Sequence, residues 1–133
     1  MDAKRILIVE DEVLVAMELE AIIEDLGHSC AGIAPDVETA KEYFGGKLDL
    51  ALVDLNLRDG LTGPQIGAEL CQLGVPVLFI TANPRQLGNG ISGTIGVISK
   101  PTDEPTVKAA LDYVFRSRQG EAAEPPAALR LFG

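Results

Sequence analysis

Short apolar runs alternate along the chain with segments whose apolar residues recur at helical spacing. Continuous apolar runs that stop abruptly are typical of strands buried on both faces of a sheet. The segments with this character are residues 6–9, 50–53, 75–80 and 95–99, with a weaker one at 29–33. We therefore predict five strands.

Helical spacing of apolar residues predicts helices after most of these strands, over residues 13–26, 37–44, 64–73 and 107–115. The fourth helical position, residues 84–94, contains Gly88, Gly90 and Gly93. Each glycine costs a helix about 1 kcal/mol relative to alanine, so we expect a short, frayed or mobile element there. Five strands alternating with five helices predict an α/β fold, with a parallel sheet covered by helices on both faces.

The chain has 133 residues, enough for one domain and too few for two. From residue 119 onward the composition shifts to Gly, Glu, Ala and Pro. We therefore predict a domain over residues 1–118 and a flexible C-terminal tail over 119–133, with its end untethered. His28, the only histidine, lies between Gly27 and Ser29, and we expect it to be a solvated turn residue.

Acidic residues outnumber basic ones by 20 to 11, which gives a net charge of −9. This balance argues against nucleic acid or an anionic membrane surface as a partner, and it suits a metal ion or a basic partner. No segment has the roughly 18 apolar residues that a membrane span needs, and the N-terminal residues do not form a signal peptide. We therefore expect a cytoplasmic protein.

Residues able to do chemistry follow the predicted strands. Glu10 and Asp11 follow the first strand, Asp54 the third, Thr81 the fourth and Lys100 the fifth. Ligands of open parallel sheets bind beyond the carboxyl ends of the strands, so these side chains should converge. Clustered carboxylates repel one another, and Mg²⁺, which prefers oxygen ligands, would relieve that repulsion. An aspartate can also act as a nucleophile towards phosphorus, with lysine and threonine contacting the phosphoryl oxygens.

The order and spacing of these residues resemble the receiver domain of two-component response regulators. The matching marks span residues 4–118 and are Glu10–Asp11, Asp54, Thr81–Ala82 and Lys100–Pro101. The resemblance implies a flavodoxin-like, doubly wound, five-stranded parallel sheet of strand order 2-1-3-4-5 with five helices, the fourth short or mobile.

The resemblance also implies the chemistry of the site. Asp54 would accept a phosphoryl group from a histidine kinase or a histidine phosphotransfer protein. Asp11 and Asp54 would bind Mg²⁺ directly, together with the backbone carbonyl of Asn56, and Glu10 would act through water.

The remaining marks concern the phosphoryl group and the switch. Thr81 would hydrogen-bond the phosphoryl group and move towards it, the small Ala82 would leave access to it, and Lys100 would contact its oxygens. The Lys100–Pro101 bond would be cis, a form found almost only before proline.

One position departs from the family pattern. Receivers usually carry Tyr or Phe three residues before the lysine, and this chain has Val97. Residues 79–84 are similar to the motif of a receiver subgroup called FAT GUY, which also lacks that aromatic, although Ile80 and Ala82 differ from it. The subgroup includes stand-alone receivers and receiver halves of alphaproteobacterial stress-response regulators.

These observations favour a single-domain response regulator that switches protein–protein interactions with a downstream protein, as a monomer or a phosphorylation-dependent dimer. A receiver assists only its own phosphorylation and dephosphorylation, so we do not expect an enzyme. A pseudo-receiver, an interaction domain that is never phosphorylated, is the main alternative. A phosphohydrolase of the haloacid-dehalogenase kind is disfavoured, because its nucleophile follows the first strand and Asp54 follows the third.

Overall fold

The computed structural model describes residues 3–132. The strands are β1 (Arg5–Val9), β2 (Ser29–Ala34), β3 (Leu50–Val53), β4 (Val77–Thr81), β5 (Gly96–Ser99) and β6 (Leu129–Leu131). The α-helices are α1 (Val13–Asp25), α2 (Val37–Lys41), α3 (Gly63–Gln72) and α4 (Glu104–Arg118), and a 3-10 helix covers Pro84–Leu87.

The strands form one sheet in the order β2-β1-β3-β4-β5-β6. The first five are parallel to their neighbours, and β6 runs antiparallel to β5. The flavodoxin-like fold and the order 2-1-3-4-5 are therefore confirmed. The predicted count of five strands is wrong by one, because Leu129–Leu131 adds a sixth strand from the segment that we expected to be untethered.

The fourth helical position is short, as its glycines predict. Within residues 3–132 the structure has four α-helices, and a four-residue 3-10 helix occupies the fourth helical position. A 3-10 turn needs fewer consecutive helical residues than an α-helix and suits such a segment. Its mobility remains a prediction.

Two hydrophobic layers sandwich the sheet, because successive strand side chains point to opposite faces. Ile6 and Ile8 pack with α1 and α4 on one face. Leu7 and Val9 pack with α2 and α3 on the other. Each fully buried side chain of this size contributes about 1.5–3 kcal/mol, so β1 is firmly held and fixes the position of the residues that follow it.

His28 differs from its predicted solvated position. Its side chain is buried, its Nδ1 accepts a hydrogen bond from the backbone N–H of Lys4 at 3.1 Å, and its ring packs on Phe115. The prediction was wrong because the turn folds back against the start of β1 and the end of α4. Within residues 3–132, none of the helices combines the length and apolar character required to cross a membrane.

Candidate functional site

Three carboxylates meet at the carboxyl end of the sheet. Side-chain oxygens of Glu10, Asp11 and Asp54 all lie within 4.8 Å of one another. The pairing of β1 with β3 causes this, since Val9 lies opposite Val53 and the Asp54 N–H donates to the Val9 carbonyl at 2.9 Å. The predicted convergence of the acidic residues is thus what the structure has.

Lys100 reaches this cluster from beyond β5. Its Nζ donates to Asp54 Oδ2 at 2.7 Å and to Glu10 Oε1 at 2.5 Å. The backbone N–H of Lys100 donates to the carbonyl of Thr81 at 2.8 Å, which fixes the start of the loop. The Lys100–Pro101 peptide bond is cis, the form that the resemblance implies.

Burial and pairing set the charges at the site. The Glu10 side chain is 2% exposed, and this burial raises its pKa although Lys100 and the Glu12 N–H both hydrogen-bond to it. Burial disfavours the charged form of Lys100, but its hydrogen bonds to Asp54 and Glu10 outweigh that effect and raise its pKa. Lys100 therefore stays a cation held between two buried carboxyl groups.

The backbone of α3 approaches Asp54 closely. Asp54 Oδ1 accepts a hydrogen bond from the Leu55 N–H at 2.7 Å. Behind it, a Cβ at Gly63 would lie 1.9 Å from the Asp54 carbonyl oxygen, so only glycine fits at this first residue of α3. Sequence reasoning did not identify Gly63, whose requirement depends on a neighbour in space.

The remaining predicted residues border the cluster. The Thr81 side chain is buried, and its Oγ1 accepts a hydrogen bond from the Asn83 N–H at 3.1 Å. Ala82 is exposed beside it and lines a groove of about 230 Å³ together with Lys100. The Asn56 side chain is exposed and donates to Gln86 Oε1 of the 3-10 helix at 3.0 Å.

Val97 occupies the position where receivers usually carry an aromatic residue. It is 2% exposed, packs in the core on the α3 face, and lies between Phe79 of β4 and Arg130 of β6. An aromatic ring does reach this region from the C-terminal segment, since the Phe132 ring lies 6.3 Å from that of Phe79.

The acidic cluster fits a hard divalent cation. Oxygen ligands from one or two carboxylates, supplemented by water, are what Mg²⁺ takes in proteins. Glu10 and Asp54 are buried, and Asp11 is the most open of the three, so a cation would approach from the side of Asp11. The Lys100 ammonium neutralises part of the negative charge of the three carboxylates. A divalent cation bound beside it would neutralise more, so that the site would no longer repel an anionic group.

Residues 6–112 match the family model of the response regulator receiver domain. Among curated proteins, the phyllosphere-induced regulator PhyR of Methylorubrum extorquens is 38% identical over 121 residues, covering 88% of this chain and 45% of that protein. The chain thus spans about half the length of the curated relatives that it matches.

Solved PhyR structures are similar to this chain in both fold and sequence. The receiver domain of Erythrobacter litoralis PhyR has a TM-score of 0.75 at 33% identity, covering 96% of this chain and 98% of that one. Brucella abortus PhyR has a TM-score of 0.73 at 34% identity, over 90% of this chain and 52% of that one. The anti-anti-sigma factor PhyR of Bartonella quintana has a TM-score of 0.70 at 32% identity, covering 90% and 52%.

Proposed function

Because this chain belongs to the response regulator receiver domain family, we propose that it accepts a phosphoryl group on Asp54 in a Mg²⁺-dependent reaction. The donor is a histidine kinase or a histidine phosphotransfer protein. The observation that carries the proposal is the Lys100 ammonium, which lies 2.7 Å from Asp54 Oδ2 and next to an acidic cluster able to hold a divalent cation.

In the transfer, a carboxylate oxygen of Asp54 forms a bond to phosphorus while the bond from phosphorus to the donor nitrogen breaks. Asp11, Asp54 and the backbone carbonyl of Asn56 would hold Mg²⁺, with Glu10 acting through water, and the bound ion would supply neutralisation of the phosphoryl charge. Lys100 contacts a second phosphoryl oxygen as a cation, because its raised pKa keeps it protonated.

Thr81 links the site to the rest of the chain. Its hydroxyl now accepts the Asn83 N–H, and we propose that it turns to donate to the phosphoryl group when Asp54 is modified. Ala82 leaves space for that group. Loss of the hydrogen bond from the Asn83 N–H would change the conformation of residues 84–94, which directly follow. That change would alter the affinity for a downstream protein partner.

The similarity to a solved PhyR stress response regulator, 36% identical with a TM-score of 0.68, supports a role in stress signalling, and we propose that this role is carried out in the cytoplasm. On this proposal the chain is a regulator and not an enzyme, since the reaction ends on its own aspartate. Its output would be protein–protein contact.

Intact mass measurement tests the proposal directly. Full-length protein is incubated with Mg²⁺ and a small phosphodonor or a phosphorylated histidine kinase. Wild type should gain one phosphoryl group, about 80 Da, and Asp54→Asn should gain none. Asp11→Asn should slow the gain, while Glu12→Gln, which alters an exposed acidic residue outside the cluster, should not.

No mass gain with either donor, in protein shown to be folded, would contradict the proposal and favour the pseudo-receiver. Val97 supports this alternative, because a buried valine has no ring and cannot make the inward ring movement usual in the family. A pseudo-receiver would bind its partner equally well as wild type and as Asp54→Asn.

A further inference from the structure

The C-terminal strand β6 is held at the outer edge of β5 by contacts to both faces of the sheet. Leu129 is buried in the core beside α4. Arg130 points to the other face, where its guanidinium donates to the carbonyls of Gly88 at 3.1 Å and Pro84 at 3.2 Å. The Phe132 N–H donates to the Ile95 carbonyl at 3.0 Å.

The body of the domain is shaped to receive this strand. At Gly96 in β5, a Cβ would lie 2.3 Å from the Arg130 carbonyl oxygen, closer than any real contact. At Gly90, a Cβ would lie 2.3 Å from the Phe132 ring. Gly96 has an ordinary backbone conformation, so its lack of a side chain serves the approach of β6 and not a turn.

Only a short segment of the chain nonetheless holds β6 on the sheet. The strand has three residues, and Leu131 is 39% exposed. Residues 121–126, which form neither helix nor strand, precede it and include Pro125 and Pro126. Proline-rich connectors favour extended conformations, and strands held by few contacts open at a lower cost than the whole domain.

We propose that the edge of β5 is a strand-binding site at which two copies of this chain exchange their C-terminal strands. The sequence that fits the site is Leu129–Phe132 itself, and a second copy carries the same strand on the same extended connector. Exchange of an identical element is a low-cost route to a dimer, because it recreates contacts already present within one chain. The proposal does not depend on phosphorylation.

Charge predicts how the exchange responds to salt. Each copy carries a net charge of −9, so two copies repel one another at low ionic strength. Salt screens this repulsion beyond about 10 Å at 0.1 M, and the fraction of exchanged dimer should therefore rise with salt.

Disulfide trapping between two single-cysteine chains tests the exchange. Val97 lies opposite Arg130 in the register of β5 and β6. Facing residues of antiparallel strands have Cα atoms roughly 4.5–5.5 Å apart, within the range that a disulfide spans. Full-length Val97→Cys and Arg130→Cys chains are mixed and oxidised, each with Cys30 and Cys71 replaced by serine.

If the strands exchange, the Val97→Cys and Arg130→Cys chains should form a mixed disulfide dimer, which intact mass detects. This dimer should be in large excess over the dimer formed by Val97→Cys and Arg118→Cys chains. Adding Gly96→Ala to the Val97→Cys chain should abolish the excess, while Gly45→Ala, at a position with open space around it, should leave it. Circular dichroism checks that each variant is folded.

A single chain carrying both Val97→Cys and Arg130→Cys should form an internal disulfide, which shows that β6 pairs with β5 of the same chain. Internal closure without any excess of mixed dimer would overturn the proposal, since β6 would then be only an internal strand. Absence of both products would overturn it as well, because β6 would not lie on β5. Neither outcome affects the mass test of Asp54.

Discussion

Lys100 and Glu10 form an ion pair across 90 positions of the chain, with Nζ 2.5 Å from Oε1. Lys100 follows β5, and Glu10 follows β1, so the lysine side chain extends past the ends of β4 and β3 to reach its partner. This reach joins the two halves of the sheet at its carboxyl edge. The same ammonium also holds Asp54, so one cation organises the whole site.

Replacing Lys100 with alanine should destabilise the protein by about 3 kcal/mol, because removal of one partner leaves buried carboxylates uncompensated. Mg²⁺ should restore part of this loss and should stabilise Lys100→Ala more than wild type. Urea unfolding with and without Mg²⁺ measures both effects.

Lys108→Ala is the matched control, since Lys108 is an exposed lysine in α4. It should unfold like wild type and show the same response to Mg²⁺. Equal Mg²⁺ stabilisation of wild type and Lys100→Ala would contradict the view that cation and lysine neutralise the same carboxylates.

Gly63→Ala should disturb Asp54, because the added Cβ would meet its carbonyl oxygen. Overpacking of this kind costs about 1–3 kcal/mol, and the shift of Asp54 should also slow phosphoryl acceptance. Thermal unfolding and the mass assay measure the two effects, with Gly45→Ala as a control in open space. A variant as stable and as reactive as wild type would show that the backbone adjusts without moving the site.

Stability should fall as the pH decreases below about 6.5 because of His28. Burial lowers the pKa of His28 in the folded state, and its Nδ1 must stay unprotonated to accept the Lys4 N–H. The unfolded chain therefore binds the proton more readily, so stability is greatest above 6.5 and declines as the pH falls towards the lowered folded-state pKa.

Urea midpoints between pH 5 and 8 measure this dependence. His28→Asn should flatten the curve in that range, because asparagine does not titrate. An unchanged slope in the variant would assign the pH dependence to other groups.

Amide hydrogen exchange over residues 84–94 should be fast in the unmodified protein and slower after phosphorylation of Asp54. The segment forms only one short 3-10 helix, and its side-chain anchors include the buried Leu87, the bond from Asn56 to Gln86 and the two bonds from Arg130 to the carbonyls of Pro84 and Gly88. Arg130→Ala should speed the exchange further. Equal, slow exchange in both states would contradict the predicted mobility.

The first five strands and the site cluster were accessible to sequence reasoning for a clear physical reason. A strand buried on both faces needs an uninterrupted apolar run, and the charged residues that end such runs mark the edge of the sheet. Glu10, Asp54 and Lys100 stand directly after three of these strands, so their convergence follows from the parallel topology.

The features that were missed depend on contacts between distant segments. Leu129–Leu131 alternates apolar and basic residues, but three residues are too few to distinguish a strand from a tail. The requirement for glycine at positions 63 and 96 arises from the backbones of Asp54 and Arg130, which local sequence does not reveal. The burial of His28 similarly depends on Phe115.

The short sixth strand also affects how the protein behaves at high concentration. An uncovered, apolar strand edge is a template for edge-to-edge aggregation, and β5 is such an edge wherever β6 is absent. With β6 in place, the sheet ends instead on three residues that carry a cationic side chain at their centre. The C-terminal segment thus makes this side of the domain a poor seed for fibrils.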